Sequence, residues 1–343
     1  MKLTRNDFVF HVLGGIMKPL IMIIKYAICL FIIRIIINVY SGEWGGSSNG
    51  RIPLMSSNTS EIKTENFQPI HVLPHAIVIG AGKCGTTVLI EMMRDIYPNV
   101  RAAKGEPKFF SRQERYKQGI ERYKQRLPPM EGPQDIIIEK SPQYFISSEA
   151  ASRIYKDSPK SKLILIVCDP VRKVFSSWLQ SIHDKWITKE TINKGVVNFL
   201  TLENGKLDTS KYIVKQAQYV DYIKFWFHLF PQEQILIIDG QALVENPYPE
   251  FVKIEQFLGL PNLVKNSTFF SDEKTNFQCW LSYTRGTWCM QEDREDKTKG
   301  RKHPETKGEI KILVDKLREY FIPLNEEFFN FTGRRFNWPM NEA

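Results

Sequence analysis

A glycine-rich loop between a short apolar run and a helical pattern constrains this chain more than any other feature. Residues 75–80 read HAIVIG, a β-branched apolar run that stops at a glycine, and residues 86–97 have the apolar spacing of a helix. The loop between them, residues 80–87, reads GAGKCGTT. Glycine lets the backbone approach a ligand, and a helix N-terminus offers free N–H groups and positive potential. The sequence therefore predicts a phosphate or sulfate site at this loop.

Three classes of ligand compete for such a loop. Its glycines match the dinucleotide pattern G-x-G-x-x-G, which needs an acid about 20 residues on, at the tip of the next strand. Glu106 has that spacing, but its surroundings, VRAAKGEPKFF, do not predict a strand. The P-loop pattern fails because Lys83 precedes Cys84 rather than Ser or Thr. The third arrangement has Lys inside the Gly turn and Thr86-Thr87 opening the helix, and it cradles the 5′-phosphosulfate of a sulfuryl donor.

Further apolar runs predict the rest of a sheet. Strands are predicted at 75–80, 136–140, 162–170 and 234–240, and helices at 86–97, 171–182, 212–229, 249–258 and 309–321. Continuous apolar strands separated by helices imply a parallel sheet covered on both faces. We therefore expect an α/β fold, with a parallel sheet flanked by helices that is P-loop-like at its first strand-to-helix turn.

A long apolar segment lies near the N-terminus. Residues 20–40 read LIMIIKYAICLFIIRIIINVY, and at about 1.5 Å of rise per residue they can cross a hydrocarbon core of about 30 Å. Lys25 and Arg34 interrupt the segment near its ends, where long basic side chains can reach the interface. Basic residues precede it, so we expect 1–19 to stay cytosolic and 20–40 to be an uncleaved transmembrane signal-anchor. A cleavable signal peptide, with Tyr26–Ile33 as its apolar region, is the alternative.

The residues after this segment change character twice. Residues 41–71 are rich in Ser, Gly, Asn and Thr without a helical or strand period, which predicts a flexible lumenal stem before a folded domain at 72–343. The sequons at Asn58, Asn266 and Asn330 support a lumenal location and N-glycosylation.

The charge composition indicates which class of partner the chain can bind. The chain has 47 Lys and Arg against 38 Asp and Glu, a net charge of +9, and about half of that excess lies in the N-terminal leader. The folded part is thus mildly basic, which suits a polyanionic partner. Hydrophobic residues at 42% exclude a wholly disordered chain, and five cysteines are too few for a disulfide scaffold.

The chain resembles the heparan sulfate sulfotransferases, most closely the glucosaminyl 3-O-sulfotransferases, over roughly residues 74–339. The segments that carry the resemblance, in order, are GAGKCGTTVLIEMM, GEPKFF, IIEKSPQYF, LIVCDPVRKVFSSW, ILIIDG, EQFLGLP, KGRKHP and FNFTGRRFNWP. The resemblance implies a sulfotransferase fold, the donor 3′-phosphoadenosine 5′-phosphosulfate, no required metal, and heparan sulfate rather than nucleic acid as partner. It also implies a single-pass type II protein of the Golgi membrane with a lumenal catalytic domain.

The resemblance assigns three catalytic residues. Glu106 in GEPKFF matches the family's general base, and a carboxylate that takes the proton of a sugar hydroxyl can contribute roughly 10²–10⁴-fold. Lys83 matches the Gly-loop lysine, which neutralises charge on the leaving phosphate and the transferred sulfuryl group. Lys140 in EKSPQYF matches a second active-site lysine that bridges donor and acceptor.

The resemblance also assigns the donor-binding residues. They are Gly82, Lys83, Cys84, Gly85, Thr86 and Thr87 of the loop, with Lys173, Ser176, Lys299, Gly300 and Arg301 further on. Ser176 matches the serine that binds the 3′-phosphate, and the family's arginine at the preceding strand end is Cys168 here. Lys173 is our candidate for the missing cation.

Acceptor binding and regiochemistry depend on less uniform positions. The predicted acceptor residues are Lys108, Arg112, Lys140, Gln143 and Gln180, and residues 141–145 are expected to line the cleft. The 3-O enzymes usually have Arg, His, an acid and Arg where this chain has Thr87, Lys108, Ser111 and Cys168. We expect transfer to the 3-hydroxyl of a glucosamine. N-sulfation, O-sulfation at another position and a non-catalytic heparan-binding role remain alternatives, and a nucleotide-binding oxidoreductase is a more distant one.

The same resemblance implies a disulfide between two of the five cysteines. Cys279 and Cys289 match the family's single disulfide, while Cys29 lies in the apolar segment. Cys84 and Cys168 follow predicted strands near the donor loop, and we expect them to be free buried thiols.

Overall fold

The computed structural model of the chain describes residues 67–273, 278–283, 286–290 and 307–339. The predicted tail, anchor, Cys29 and Asn58 lie outside these residues, as do residues 41–66 of the stem and the Lys299–Arg301 loop. Within the described ranges, none of the helices combines the length and the apolar character that a bilayer crossing needs.

A five-stranded parallel sheet forms the centre of the fold. Its strands are β1 (Ala76–Gly80), β2 (Val100–Ala102), β3 (Ile136–Lys140), β4 (Lys162–Val167) and β5 (Ile235–Asp239). The order is β2-β3-β1-β4-β5, and every neighbouring pair is parallel. β1 is buried along its whole length, as expected for an apolar strand covered on both faces. The predicted parallel α/β sheet is confirmed.

Helices connect and flank these strands. Within the described residues they are α1 (Thr86–Ile96), α2 (Gln113–Tyr116), α3 (Ile120–Lys124), α4 (Ser148–Asp157), α5 (Pro170–His183), α6 (Lys189–Leu200), α7 (Tyr212–Lys215), α8 (Tyr219–Leu229), α9 (Ala242–Glu245), α10 (Tyr248–Leu258) and α11 (Glu309–Thr332). Asp169 caps α5 by accepting from the Val171 N–H, and Pro170 occupies its first turn. This cap fixes where α5 leaves the end of β4.

The sequence predicted no strand at residues 100–102, and two of its predicted helices were wrong in extent. The segment at Val100–Ala102 is an edge strand, too short and too polar at Arg101 to show an apolar run. The helix predicted over 212–229 is two helices, because Val214 packs among the helices while Tyr219 packs on the sheet. The last helix continues past Pro323 to Thr332.

The core has two parts. The sheet core surrounds β1, β3, β4 and β5 and includes Trp226 and Phe251. A second set of buried residues, which we call the helical cluster, joins α5, α6, α7 and α11 through Val174, Trp178, Leu200, Val214 and Leu317. Residues from both regions line the cleft described below.

A small antiparallel sheet packs on α1. It consists of β6 (Phe269–Ser271), β7 (Gln278–Ser282) and β8 (Gly286–Cys289), in that order. The Trp280 indole N–H donates to Asp95 Oδ2 at 3.2 Å, which attaches β7 to the helix. Cys279 and Cys289 face each other across β7 and β8 and form a disulfide.

Candidate active site

The carboxyl edge of the parallel sheet carries the loops that line a cleft of about 400 Å³. β1 pairs with β3 on one side and with β4 on the other, so the direction of strand order reverses beside β1. Ligands of open α/β sheets bind at such a switch point. One wall, the sheet wall, comes from the loops after β2 and β3. The other, the helical wall, comes from α5, the turn after it and α7.

The Gly loop after β1 forms the floor between the two walls. Lys83 and Gly85 have left-handed backbones, with φ of 75° and 101°, and Gly85 directly precedes α1. Since glycine has no side chain to cap a helix, the first-turn N–H groups of α1 stay available to an anion. Gly82, Thr86 and Lys83 line the cleft, and the Lys83 amine donates to Gln180 Oε1 on the helical wall at 2.8 Å.

A disulfide joins the Gly loop to the end of β4. Cys84 and Cys168, expected to be free thiols, are bonded to each other, so that prediction was wrong. The two residues follow neighbouring strands, and their Cα atoms lie 5.4 Å apart, within disulfide range. The loop after β5 packs closely against the backbone of Cys84, since a Cβ on Gly240 would lie 2.2 Å from the Cys84 carbonyl oxygen.

Glu106 lies between two lysines on the sheet wall. The Lys140 amine is 3.1 Å from Glu106 Oε1 and donates to Thr87 Oγ1 at 2.9 Å, and the Lys108 amine is 3.0 Å from Glu106 Oε2. Burial alone would raise the pKa of Glu106, but the charges and hydrogen bonds of Lys140 and Lys108 outweigh it and lower that pKa below its ordinary value. Glu106 is therefore ionised at neutral pH, in contact with a lysine that also reaches the Gly loop.

A buried carboxyl lies behind this cluster. Glu139 on β3 is inaccessible to solvent, and its oxygens accept hydrogen bonds from Tyr123 OH at 3.0 Å and Ser141 Oγ at 2.9 Å. Burial raises the pKa of Glu139 to about 7, although hydrogen bonds to Ser141 and Tyr123 favour the charged form. The Ser141 oxygen accepts from the Lys108 N–H at 2.9 Å. Sequence reasoning missed Glu139, whose one signal was a charged residue inside the apolar run IIIEK.

The helical wall presents a buried lysine. Lys173 on α5 is 2% exposed yet lines the cleft, and burial first and the charge of Lys83 second lower its pKa to about 7. Ser177, one helical turn further, also lines the cleft, and its hydroxyl has no hydrogen-bond partner in the described part of the chain. Ser176, the predicted residue, is not among the cleft-lining side chains.

The remaining predicted residues are divided between the cleft and the outer surface. Gln143 and Gln180 line the cleft, whereas Arg112 is exposed at the start of α2 and does not line it. Asn266 and Asn330 are exposed.

Two aromatic residues of the cleft were missed by sequence reasoning. Trp186 and Tyr212 line its helical wall, although their side chains are 69% and 64% exposed. Both lie outside the recognisable motifs, so spacing gave no signal for either of them.

The cleft fits a ligand with several anionic groups. The Gly loop offers backbone N–H groups, Lys83 and Lys173 offer cations, and the buried Ser177 hydroxyl offers an unused donor. A buried hydroxyl without a hydrogen-bond partner among the described residues is costly unless a ligand satisfies it, and an anion would offset the cost of charging the buried Lys173 amine. A phosphate-bearing donor supplies such groups.

Comparison with known proteins agrees with this geometry. The chain matches the sulfotransferase domain family over residues 73–331. It is 34% identical over 282 residues to heparan sulfate glucosamine 3-O-sulfotransferase 5 of Mus musculus. The alignment covers 82% of this chain and 79% of that protein. It is also 34% identical over 270 residues to heparan sulfate glucosamine 3-O-sulfotransferase 3B1 of Homo sapiens, covering 78% and 65%.

A solved structure shares the fold. The sulfotransferase from Alicyclobacillus acidocaldarius superposes with a TM-score of 0.51 at 17% identity, over 77% of this chain and 98% of that one. At this identity the likeness concerns the fold alone.

Proposed function

Since the chain belongs to the sulfotransferase family, and within it to the heparan sulfate glucosamine 3-O-sulfotransferases, we propose that it sulfates the 3-hydroxyl of a glucosamine in heparan sulfate. The observation that carries the proposal is the Glu106 carboxylate, 3.1 Å from a Lys140 amine that also contacts Thr87 in the Gly loop. This arrangement places a base beside the lysine that reaches the donor loop.

The donor would be 3′-phosphoadenosine 5′-phosphosulfate, which supplies an activated sulfuryl group. Gly82, Lys83, Thr86 and Thr87 would hold its phosphosulfate, because this loop combines free helix N–H groups with a cation. Lys173 and Ser177 would satisfy a further anionic oxygen from the helical wall. Lys299, Gly300 and Arg301 remain proposed donor residues outside the described part of the chain.

Glu106 acts as the base in the proposed reaction. It takes the proton of the acceptor hydroxyl as that oxygen bonds to sulfur, while the bond from sulfur to the phosphate oxygen breaks. Lys83 and Lys140 stabilise the negative charge that collects on the departing phosphate oxygen.

Lys140 has two competing partners before the reaction. Its amine contacts both Glu106 and Thr87, so an anion at the loop draws charge away from the carboxylate. The basicity of Glu106 then rises when the donor is bound, since the lysine charge that lowers its pKa is shared with a second anion.

The acceptor would enter beside Lys108, Gln143 and Gln180. Lys108 offers a cation to the sulfates of the polysaccharide, and the Gln143 amide offers both a donor and an acceptor to sugar hydroxyls. We further propose that residues 20–40 anchor the protein in the Golgi membrane, with 1–19 cytosolic, a stem at 41–71 and the domain at 72–343 lumenal. This placement rests on the apolar span, the basic residues before it and the sequons.

Transfer of labelled sulfate from the donor to defined heparan oligosaccharides, followed by disaccharide analysis, tests the function. We expect label on the 3-oxygen of glucosamine. Label on nitrogen or on another oxygen would replace the proposed regiochemistry, and no transfer with intact acceptor binding would indicate a non-catalytic heparan-binding protein. Adenosine 3′,5′-bisphosphate should raise the melting temperature, and NAD should not, which separates this reading from an oxidoreductase.

A further inference from the structure

We propose that Glu139 is a positioning residue that holds Glu106 and Lys108 in their catalytic arrangement through the hydroxyl of Ser141. The inference rests on the proposed function, since Glu106 is the base of that function. Glu139 itself lies outside the cleft lining and is wholly buried, so it does not touch either substrate. It precedes Lys140 on β3, and successive strand residues point to opposite faces, so the two side chains serve different sides of the strand.

The direction of the hydrogen bonds carries the argument. A serine hydroxyl has one proton, and Ser141 gives it to Glu139 Oε2 at 2.9 Å. The lone pairs of that oxygen are then free to accept the Lys108 N–H, also at 2.9 Å. Because Glu139 Oε2 accepts the serine proton, Glu139 fixes the orientation of the hydroxyl and with it the backbone of Lys108.

The backbone at Lys108 needs such a hold. Its φ is 50°, in the left-handed region that residues with a side chain occupy at a cost. Such a conformation persists only where surrounding contacts fix it. Lys108 is two residues from Glu106, so a shift of this backbone moves the carboxylate and the lysine beside it together.

A second hydroxyl near Glu139 holds the same segment. The Phe110 N–H donates to Tyr144 OH at 3.3 Å, and the charge of Glu139 is among the causes that raise the pKa of Tyr144, after burial. The rings of Phe109 and Phe110 are buried, so the segment is anchored on its inner side. Tyr123 also donates to Glu139 but makes no hydrogen bond to the 106–110 backbone among those the structure describes.

This difference between Ser141 and Tyr123 supplies the test. Glu139→Gln and Ser141→Ala should each lower kcat about 10- to 100-fold, because small displacements of a base are costly. Tyr123→Phe, the matched control, removes a hydrogen bond to Glu139 and should change kcat less than threefold. Ser141→Thr, which keeps the hydroxyl, should restore most of the rate. The double variant Glu139→Gln/Ser141→Ala should be no slower than the slower single variant, because both changes break one chain of contacts.

Three readouts separate positioning from a general loss of stability. Amide hydrogen exchange of the peptide spanning 104–112 should accelerate in Glu139→Gln and Ser141→Ala and stay unchanged in Tyr123→Phe. The acid limb of kcat/KM should move to higher pH, because a displaced Lys108 no longer lowers the pKa of Glu106. The melting shift produced by adenosine 3′,5′-bisphosphate should stay as in wild type.

The proposal is overturned if both variants keep wild-type exchange in 104–112, whatever their melting temperatures or rates. It is equally overturned if exchange accelerates but kcat per folded molecule and the pH profile do not change. If the wild-type protein transfers no sulfate at all, the proposed function fails separately, and the exchange experiment still decides whether Glu139 holds the segment.

Discussion

The two walls of the cleft satisfy their charges in different ways. On the sheet wall, Glu106 is paired with both Lys140 and Lys108. On the helical wall, Lys173 is buried beside another cation, and the Ser177 hydroxyl has no partner among the described residues. Each charged group of the sheet-wall cluster thus has a partner of opposite sign before any ligand arrives, whereas the Ser177 hydroxyl of the helical wall gains a partner only with a ligand. We infer that the sheet wall carries the chemistry and that the helical wall carries recognition.

The largest expected effect is on the sheet wall. Glu106→Gln should lower kcat by roughly 10²–10⁴-fold, because an amide cannot accept the proton. Donor binding, measured by the melting shift with adenosine 3′,5′-bisphosphate, should persist. In the wild type, the acid limb of kcat/KM should lie below the ordinary glutamate pKa, since the lysines lower the pKa of Glu106.

The control for this variant is Glu114→Gln, an exposed glutamate of the following helix. If Glu106→Gln keeps a rate close to that of Glu114→Gln, the reaction does not depend on Glu106. The assignment of the chemistry to the sheet wall is then wrong.

The next effect belongs to the helical wall. Lys173→Met should weaken adenosine 3′,5′-bisphosphate binding about 10- to 100-fold at pH 6.5, the range for one charge-assisted hydrogen bond, with little change in the proton-transfer step. Isothermal titration calorimetry checks the affinity, and Arg172→Met on the exposed side of the same helix is the matched control. An unchanged affinity would place the donor elsewhere.

The same lysine predicts a dependence on pH. Its folded-state pKa of about 7 lies below the unfolded value, so between that pKa and about 10.4 only the unfolded chain holds the proton, and the free energy of unfolding rises with pH. A bound anion favours the charged amine, so binding takes up a proton. Affinity for the bisphosphate should therefore fall between pH 7 and 9, at most about tenfold per unit, and Lys173→Met should abolish this slope. If the affinity of Lys173→Met still falls with pH, a group other than Lys173 takes up the proton.

A smaller effect is expected for the acceptor at the rim of the sheet wall. Lys108→Gln should raise the acceptor KM severalfold and flatten its salt dependence, because one cation fewer meets the polyanion. Kinetics at two ionic strengths measure both effects, with Lys104→Gln as an exposed control. Equal salt slopes in the variant and wild type would mean that Lys108 points away from the acceptor.

The smallest effect is expected at the exposed aromatic residues. Trp186→Ala should raise the acceptor KM about two- to fivefold without changing kcat, because an exposed ring can pack on a sugar face but takes no part in proton transfer. Tyr155→Ala, an exposed aromatic that does not line the cleft, is the control. A fall in kcat instead would move Trp186 from recognition to chemistry.

Much of the fold was predictable because it depends on local pattern. The apolar runs that became β1, β3, β4 and β5 are largely buried, and their continuous apolar character is visible in the sequence. β2 was not visible, since it is three residues long and is defined by pairing with Ile136–Ile138 rather than by its own composition. The break between α7 and α8 depends on which of two clusters each half packs against, which spacing alone does not reveal.

The site residues that belong to sequence motifs were predictable. The contacts that depend on which strands are neighbours were not. Glu106, Lys83 and Lys140 come from different parts of the chain, and the resemblance to a family located all three. The bond between Cys84 and Cys168 depends on β1 and β4 being neighbours, which no local pattern contains. The roles of Glu139 and Ser177 likewise depend on what their side chains meet.

The close approach at Gly240 has a consequence for how this sequence can vary. Any side chain there would overlap the backbone of Cys84, a clash that no rotamer can relieve. Position 240 should tolerate substitution as poorly as the catalytic positions, although it supplies no group to either substrate. A mutational scan scored for activity should place Gly240 among the essential residues. A search for residues that contact a ligand would overlook it. A residue that is essential without any ligand contact would mark the point where the backbone after β5 packs against the Gly loop.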